Sequence, residues 1–569
     1  MFTWKIGHPE HPLETISDII DFLLVKRGIV GKKEKEAFLD PPSPISLSPK
    51  NAGMDTDQFR VAVSRIRKAI QDHESIVVYS DYDADGITAG AILWEALFHL
   101  GARVMPYVPS RTEEGYGLSE KGILSVKETF EATLIITVDH GINAKNEVTF
   151  AKKEGIDVIV TDHHTKGTKV PTCPTIHTTS LCGAGVSWMV AAHLLGNDPS
   201  VGSDHIGDER VKKSKELLSL AAIGTIADMV QLTGTNRAIV YHGIEEIRKT
   251  TRLGLLSLIK NAGIEKEAIS SYQISHMLVP RLNAMGRITH ALDALRLLCT
   301  TNEKRALELA SHIGLTNQER QQLTVSTMMH AESVVTKEYG KEIKEKLIFI
   351  SDESYNQGII GLVAGRLVEK FMRPAVVIAS ADGISKASCR SIPGFNIVDA
   401  IRRCQDLVID VGGHPMAAGF TVETKNIDRL KKKLTEIADT GISEGMLVQS
   451  LDVDMVLTLA TANEKLWKAL RALEPFGFGN PSPLFASLAC IIDDIRPVGA
   501  EKKHAKLRLR DDEPGRAMVD AIFFNGYAKC KNFTVGNTLD IAYTIDMNEW
   551  NGQKNVQFIV KDVRPLSSI

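Results

Sequence analysis

The chain has little cysteine, and none of it paired. Cys173, Cys182, Cys299, Cys389, Cys404, Cys490 and Cys530 lie scattered over 569 residues, an odd number and never spaced C-x-x-C. That pattern argues against a disulfide framework and a cysteine-held zinc site, and suits free thiols in a reducing cytoplasm. Long apolar runs are also missing. No stretch is long enough to span a bilayer, and the opening "MFTWKIGHPEHPLETISDIIDFLL" has no basic segment followed by an apolar one, so no signal peptide is expected. A cytoplasmic protein with no membrane partner follows. Charge of one sign is missing too: the formal net charge is −3, so no global basic field advertises a nucleic acid. Acidic metal sites can nevertheless mask a local basic groove. The chain carries no G-x-x-x-x-G-K-[ST] loop, H-E-x-x-H helix or G-x-S-x-G elbow, which removes the commonest nucleotide-hydrolysing, zinc-protease and esterase chemistries.

What is there is ample core, with 43% apolar and 24% charged residues, in a chain too long for one ordinary domain. Residues 1–45 read as an N-terminal helical segment ending in the Pro/Ser-rich "DPPSPISLSP". From there the strands "SIVVYS", "ARVMPYVP", "TLIITVD" and "DVIVTD" alternate with amphipathic helices, the signature of a parallel α/β sheet. A mostly helical stretch follows, including a charged connector. A second α/β pattern then runs through "KLIFIS" and "PAVVIAS" to "VGGHPMAAGF". The last part alternates apolar and polar in short strands such as "KLRLR", "TLDIAYTI" and "VQFIVKDV", predicting a small β-barrel.

Three of these strands end in acids or histidines. "VVYS" runs into Asp81, Asp83 and Asp85, "LIITV" into Asp139 and His140, and "VIVT" into Asp162, His163 and His164. The first triplet reads D-x-D-x-D-G, half of a calcium-binding EF-hand loop, but the twelfth position is Ile92 and a strand precedes it, so calcium fails on both counts. A single strand-end Asp is ordinarily a turn or capping residue. Several such ends, if parallel neighbours, converge where open sheets bind ligands. Asp228, in "LAAIGTIADMV", reads as a charge inside an apolar helix, costly unless paired or metal-bound. Carboxylates this crowded repel one another, and divalent cations relieve it. Mixed Asp and His ligands suit Mn²⁺ or Mg²⁺.

"DYDADG", "TVDHG", "TDHH" and "GTIADMV" resemble the four motifs of the DHH phosphoesterases. The likeness extends to the bacterial RecJ branch of that family through "RTEEGYGLS", "LCGAGVSW", "PRLNAMGRI", "CRSIPGFNIVDA", "GGHPMAAG" and "EPFGFGNPSPLF". It implies an N-terminal helical segment (1–45), a DHH catalytic domain (46–300), a long helical connector (301–340), a smaller α/β DHH-associated domain (341–440) and an OB-fold barrel (446–569). It also implies 5′-to-3′ degradation of single-stranded DNA to mononucleotides in recombination and repair, with two Mn²⁺ or Mg²⁺ ions. The implied metal ligands and catalytic residues are Asp83, Asp85, Asp139, His163 and Asp228, with Asp81 and His164 as outer partners or as ligands of one ion. Substrate would be held by Arg111, Arg281, Asn283, Ser388 and Arg390, and by Gly412, Gly413 and His414 of the DHH-associated domain. His140 stands where the family commonly has a small or polar residue, and reads as an extra outer ligand or as simple variation.

In the barrel, Lys506, Arg508 and Arg510 fall on one face of a strand, a basic track for DNA or a solvated sheet face. Phe523, Phe524 and Trp550 read as stacking platforms or as core, with core favoured. The resemblance further implies a monomer assisted by a RecQ-type helicase and a single-strand-binding protein. Two other readings are weighed: a DHH phosphodiesterase of short oligonucleotides or cyclic dinucleotides, and a non-catalytic replisome scaffold. The barrel argues for long strands over the first, and the filled acidic and histidine positions argue against the second.

Overall fold

The computed structural model describes residues 2–9, 13, 15–111, 113–196, 208–340, 342–511, 517–550 and 552–566. The chain forms two compact units. One comprises Met1–Pro44, Met229–Tyr241 and Ser450–Ile569; the other comprises Ile45–Asp228 and His242–Gln449. The N-terminal segment begins as a strand, β1 (Thr3–Ile6), before its helices Ile16–Lys26 and Lys32–Leu39. The expectation of a helical segment missed β1. Its alternation is short, and its partner lies more than four hundred residues away in the sequence.

The larger unit holds β2 (Ile76–Ser80), β3 (Val104–Tyr107), β4 (Leu134–Val138), β5 (Asp157–Asp162) and β6 (Thr175–His177) in the order β3-β2-β4-β5-β6. All four pairings are parallel. Every residue of β2 and β4 is buried, as expected of strands covered on both faces and consistent with their continuous apolar runs. The register pairs Ser80 with Val138 and Val138 with Thr161, so β2, β4 and β5 release their next residues side by side. The helix Ala84–His99, packed on Gly183–Leu194 and Asp208–Ala227, leads straight out of that edge.

A second sheet in this unit joins β7 (Ile348–Asp352), β8 (Ala375–Ala379), β9 (Ile384–Arg390), β10 (Val408–His414) and β11 (Ala417–Glu423) in the order β10-β11-β9-β8-β7. Only β7 and β8 pair in parallel. Its core gathers Phe349, Val376, Phe420, Leu430 and Leu434. The helix Glu303–Tyr339, 37 residues long, spans about 55 Å at 1.5 Å per residue.

The other unit contains β12 (Ser450–Val453), β13 (Met455–Val456), β14 (Phe485–Val498), β15 (His504–Arg510), β16 (Met518–Phe523), β17 (Thr538–Trp550) and β18 (Gln553–Pro565). Strands β14, β15, β16, β18 and β17 follow one another, and β17 pairs back onto β14. This closes a five-stranded barrel, the OB architecture. Tyr543 and Phe558 stack inside it with ring centroids 3.7 Å apart. The N-terminal helix adds Ile19, Leu23 and Leu24 to the same core, while β1 pairs in parallel with β12. Buried Trp4 donates its indole N–H to Asp562 at 3.0 Å. Residues Met229–Tyr241, inside the span expected for the catalytic domain, group with this barrel unit. Among the described residues no helix is long and apolar enough to cross a membrane.

Candidate active site

The edge where β2, β4 and β5 end brings Asp81, Asp83, Asp85, Asp139, His163, His164 and Asp228 together. Single ligand atoms of Asp85, His163 and Asp228 all lie within 4.8 Å of one another, as do those of Asp139, His163 and His164, and of Asp81, Asp83 and Asp139. Asp139 and His163 each belong to two of these groups. Asp139 is held in the left-handed region at φ 68°, a strained backbone for a non-glycine residue that the packing around it must stabilise. Gly183 explains part of that packing: a Cβ there would meet the Asp139 carboxylate at 2.6 Å. A Cβ on Gly224 would meet Asp85 Oδ1 at 2.7 Å. These two glycines let their helices approach the carboxylates closely.

Asp83 is the N-cap of Ala84–His99, accepting from the Asp85 and Gly86 amides. The ordinary capping reading is therefore true of it as well. Asp85, 1% exposed, accepts from the backbone N–H groups of Gly183 and Ala184 at 2.7 and 2.8 Å, the open N-terminus of a helix. Asp228 does not sit within a helix as the sequence suggested. It follows the end of Asp208–Ala227, with its N–H still bonded to Gly224 at 3.0 Å. The helical pattern read from sequence runs on because the last turn's hydrogen bond does.

Electrostatics mark the cleft as short of positive charge. Burial, then the neighbouring carboxylates, hold Asp81 and Asp139 well above the usual range. Asp83 is raised by the protein around its carboxylate and by Asp85, and Asp228 is pushed up to about 8 by burial and by Asp85 and Asp83. His163 Nε2 lies 3.0 Å from Asp139 Oδ1 and 4.0 Å from Asp85 Oδ2, while its Nδ1 is 3.7 Å from Asp228 Oδ2. Yet Asp139 Oδ1 and His163 Nε2 are both buried without a hydrogen-bond partner of acceptable geometry. Two lone-pair-bearing atoms facing each other without a proton properly between them fit a shared cation. The oxygen-rich, sulfur-free donor set fits Mn²⁺ or Mg²⁺.

The sequence reading named Asp162 only as a strand end and gave it no part in the site. It is 1% exposed and accepts from the backbone of Ile142, His163 and His164 and from His164 Nδ1, at 2.7 to 3.0 Å. Burial would raise it, but the bonds and charge of His164 outweigh that and hold it well below the usual range. His164 is correspondingly pushed up to about 9 against its own desolvation. Its other nitrogen lies 3.2 Å from the Tyr116 hydroxyl. The signal for Asp162 was its position two residues before His164, which lets a carboxylate fold back on an imidazole. His140 is not an outer ligand. Its Nε2 bonds the Tyr79 carbonyl at 3.0 Å, its ring packs edge-on to Tyr79, and burial lowers it to about 4.

The arginines sort differently from the expectation. Burial and the charges of Arg111, Arg320 and Arg390 lower Arg287 to about 10, so these guanidiniums crowd one region near Asp83. Arg111 lies over the Tyr82 ring at 5.4 Å. Arg390 is anchored to the Cys389 carbonyl at 2.8 Å and Ser388 Oγ at 3.3 Å. Arg281 instead bonds the Met277 carbonyl at 2.7 Å and Asn261 at 3.3 Å, and nothing places it with the others. Six positions apart on one helix, Arg281 and Arg287 face different ways, and sequence alone could not choose between them. Asn283 accepts the Ala84 N–H at 2.8 Å, fastening the loop that carries Asp83 and Asp85.

Gly412, Gly413 and His414 are exposed on the β10–β11 hairpin. Gly413 has φ 129° and a Cβ on it would meet the Ala417 carbonyl at 2.3 Å, so the hairpin itself demands glycine there. In the barrel, Lys506, Arg508 and Arg510 share the outer face of β15, as the alternation predicts. Two are already paired: Asp520 on the neighbouring strand lies 3.5 Å from Lys506 and 3.2 Å from Arg508. Phe523 is buried, but Phe524 is 56% exposed beside His504. The Trp550 side chain lies outside the described residues.

Comparison with known proteins agrees with this architecture. Family models for the DHH family N-terminal domain, the DHHA1 domain and the RecJ OB domain match residues 75–225, 344–440 and 453–562. The single-stranded-DNA-specific exonuclease RecJ of Bacillus subtilis is 36% identical over 98% of this chain and 70% of that protein. The RecJ of Salmonella typhimurium is 32% identical over 96% and 95%. The solved structure of Thermus thermophilus RecJ with Mn²⁺ superposes at TM-score 0.80 and 27% identity, covering 96% of this chain and 76% of that one. Its complex with Mg²⁺ gives TM-score 0.74 at 26% identity over 95% and 74%. With all three domains in order and this extent of likeness, the chain belongs to the RecJ family of DHH phosphoesterases.

Proposed function

We propose that this protein is a 5′-to-3′ exonuclease that hydrolyses single-stranded DNA to mononucleotides at a two-metal centre, serving recombination and repair. The observation that carries it is the buried, proton-poor facing of Asp139 Oδ1 and His163 Nε2 at 3.0 Å, amid carboxylates too crowded to ionise together. Asp85, Asp139, His163 and Asp228 would hold one ion, and Asp81, Asp83 and Asp139 the other, with His164 alongside. Divalent ions held by these residues would supply an activated water and charge stabilisation for the leaving oxygen of a phosphodiester.

The chain's own groups do the rest. Asp162 keeps the His164 ring oriented through Nδ1, and outer partners of this kind keep a ligand in one tautomer. Asn283 holds the Ala84 amide, and with it the Asp83–Asp85 turn. Arg111, Arg287 and Arg390, anchored beside Ser388, form a cationic pocket suited to a terminal phosphate, which arginine grips bidentately. Such a pocket accepts an end and so sets polarity. The family names of the relatives, single-stranded-DNA-specific exonucleases, support the substrate. A cytoplasmic location belongs to the same reading, supported by seven free thiols. A helicase and a single-strand-binding protein as helpers follow from the family likeness.

Digestion of 5′- and 3′-labelled single strands with Mn²⁺, beside a duplex control, tests the reading. The 5′ label is expected to leave first, as mononucleotide. Release of the 3′ label first, or equal cutting of duplex, would sink it.

A further inference from the structure

The loop "RTEEGYGLS" sets two glutamates side by side and gives them opposite surroundings. Glu113 is exposed and pairs with Lys121 at 3.0 Å on the surface. Glu114 is half-buried, and among the described residues no cation pairs with it. A carboxylate partly withdrawn from water without a counter-charge is costly unless hydrogen bonds compensate it. One of its oxygens accepts the Tyr107 hydroxyl at 2.8 Å, and the other accepts the backbone N–H of Ser110 at 2.9 Å. The Ser110 carbonyl in turn accepts the Glu114 N–H at 2.8 Å. Glu114 thus holds both backbone groups of Ser110, and Tyr107, the last residue of β3, ties it to the sheet. Gly122, on the helix Glu120–Phe130, leaves the space: a Cβ there would meet Glu114 Oε2 at 2.8 Å and the Tyr79 hydroxyl closer still.

The turn closed by these bonds links the two halves of the site. Arg111 lies within it, over the Tyr82 ring at 5.4 Å, and belongs to the cationic pocket. Tyr116 lies just beyond it, with its hydroxyl 3.2 Å from His164 Nε2 and donating to the Asp139 carbonyl at 3.4 Å. Gly115 and Gly117 flank Tyr116 at φ 84° and 78°, left-handed values that glycine adopts without strain. From Arg111 to Tyr116 is five residues, a reach of up to about 17 Å if extended. The bonds of Glu114 keep the chain folded over that interval, so the pocket's arginine and the metal-site histidine stand at one separation.

We propose that Glu114 is a positioning residue: it fixes Arg111 relative to His164 and Asp139, so that a strand end gripped in the pocket presents its first phosphodiester to the cleft. The inference rests on the nuclease reading above, in which the pocket takes a terminal phosphate.

The test uses the full chain at saturating Mn²⁺ and two single strands that differ only in carrying a 5′-phosphate or a 5′-hydroxyl. The unaltered chain is expected to favour the phosphorylated strand in kcat/KM. Glu114→Ala should lower kcat/KM on that strand by about tenfold to a hundredfold, the cost of misplacing a gripped substrate by about an ångström. On the hydroxyl strand, which has no terminal phosphate to misplace, the change should stay within about twofold. The preference therefore collapses, whereas general destabilisation would lower both strands alike. Glu114→Gln, which keeps an acceptor for one of the two bonds, should lose about threefold on the phosphorylated strand only. It decides the matter if circular dichroism shows that Glu114→Ala does not fold. Glu113→Ala should leave both strands unchanged, since its ion pair lies at the surface. An equal loss in Glu113→Ala, or a folded Glu114→Ala that keeps the preference, overturns the positioning role alone. An unaltered chain that cuts the two strands equally overturns the terminal-phosphate pocket, and the positioning role with it.

Discussion

The cleft at the ends of β2, β4 and β5 and the outer face of β15 both drew attention by charge set at regular positions, but they solve their electrostatics in opposite ways. In the cleft six carboxylates converge with two histidines, the hydrogen bonds satisfy Asp162 and much of Asp85, and the remaining acids are left with raised proton affinity. On β15 the charge is partly offset locally, with Asp520 beside both Lys506 and Arg508. An imbalance sustained by burial suits the binding of divalent cations, whereas an ion pair at the surface is worth little either way. Alternation in a sequence reveals which residues share a face. It does not reveal whether the neighbouring strand has already neutralised them.

That contrast can be broken at its strongest point first. Asp139→Ala, which removes the carboxylate common to two of the ligand groups, is expected to take nuclease activity to background while circular dichroism stays native. Measurable turnover in a folded variant would show that the cleft's imbalance has no catalytic purpose. Asp162→Asn should have a smaller effect, weakening Mn²⁺ binding by about ten- to a hundredfold, because His164 loses the partner that holds its ring. Spin-resonance titration of Mn²⁺ reads this directly, and unchanged affinity would reduce Asp162 to a fold residue.

The weakest effect belongs to the barrel. Arg508→Ala should change single-strand affinity by less than about twofold, since the arginine is already paired at the surface. Asp520→Asn, which frees both cations, should tighten binding by up to about fivefold at low salt, equivalent to about 1 kcal/mol, and steepen the salt dependence. Fluorescence anisotropy on a labelled single strand, over a range of salt, separates the two. If Asp520→Asn changes nothing, the face of β15 does not carry DNA.

Much of this molecule was legible because its signals are local. The buried parallel strands announced themselves as continuous β-branched runs, and the barrel strands as alternation. The acids at strand ends could be recognised as a set because a parallel sheet brings all its carboxyl ends to one edge. What was missed depends on distant partners. β1 is too short to read without β12, and Asp228 could not be placed relative to its helix end by periodicity. Arg281 looked suitable, and Arg287 went unnamed, until the helix carrying them was oriented.

By itself, then, the sequence determined the sheet class, the order of the domains and the roster of acids and histidines, because strand periodicity and motif spacing are properties of neighbouring residues. Only the tertiary structure decided which of those groups act on one another. It turned His140 away from the cleft, folded Asp162 onto His164, matched Asp520 to the basic strand, and brought Met229–Tyr241, immediately after a candidate metal ligand, into the barrel unit. The physical reason is that charge and hydrogen bonding act through space over a few ångströms, and residues at that range are brought together by packing and not by chain order.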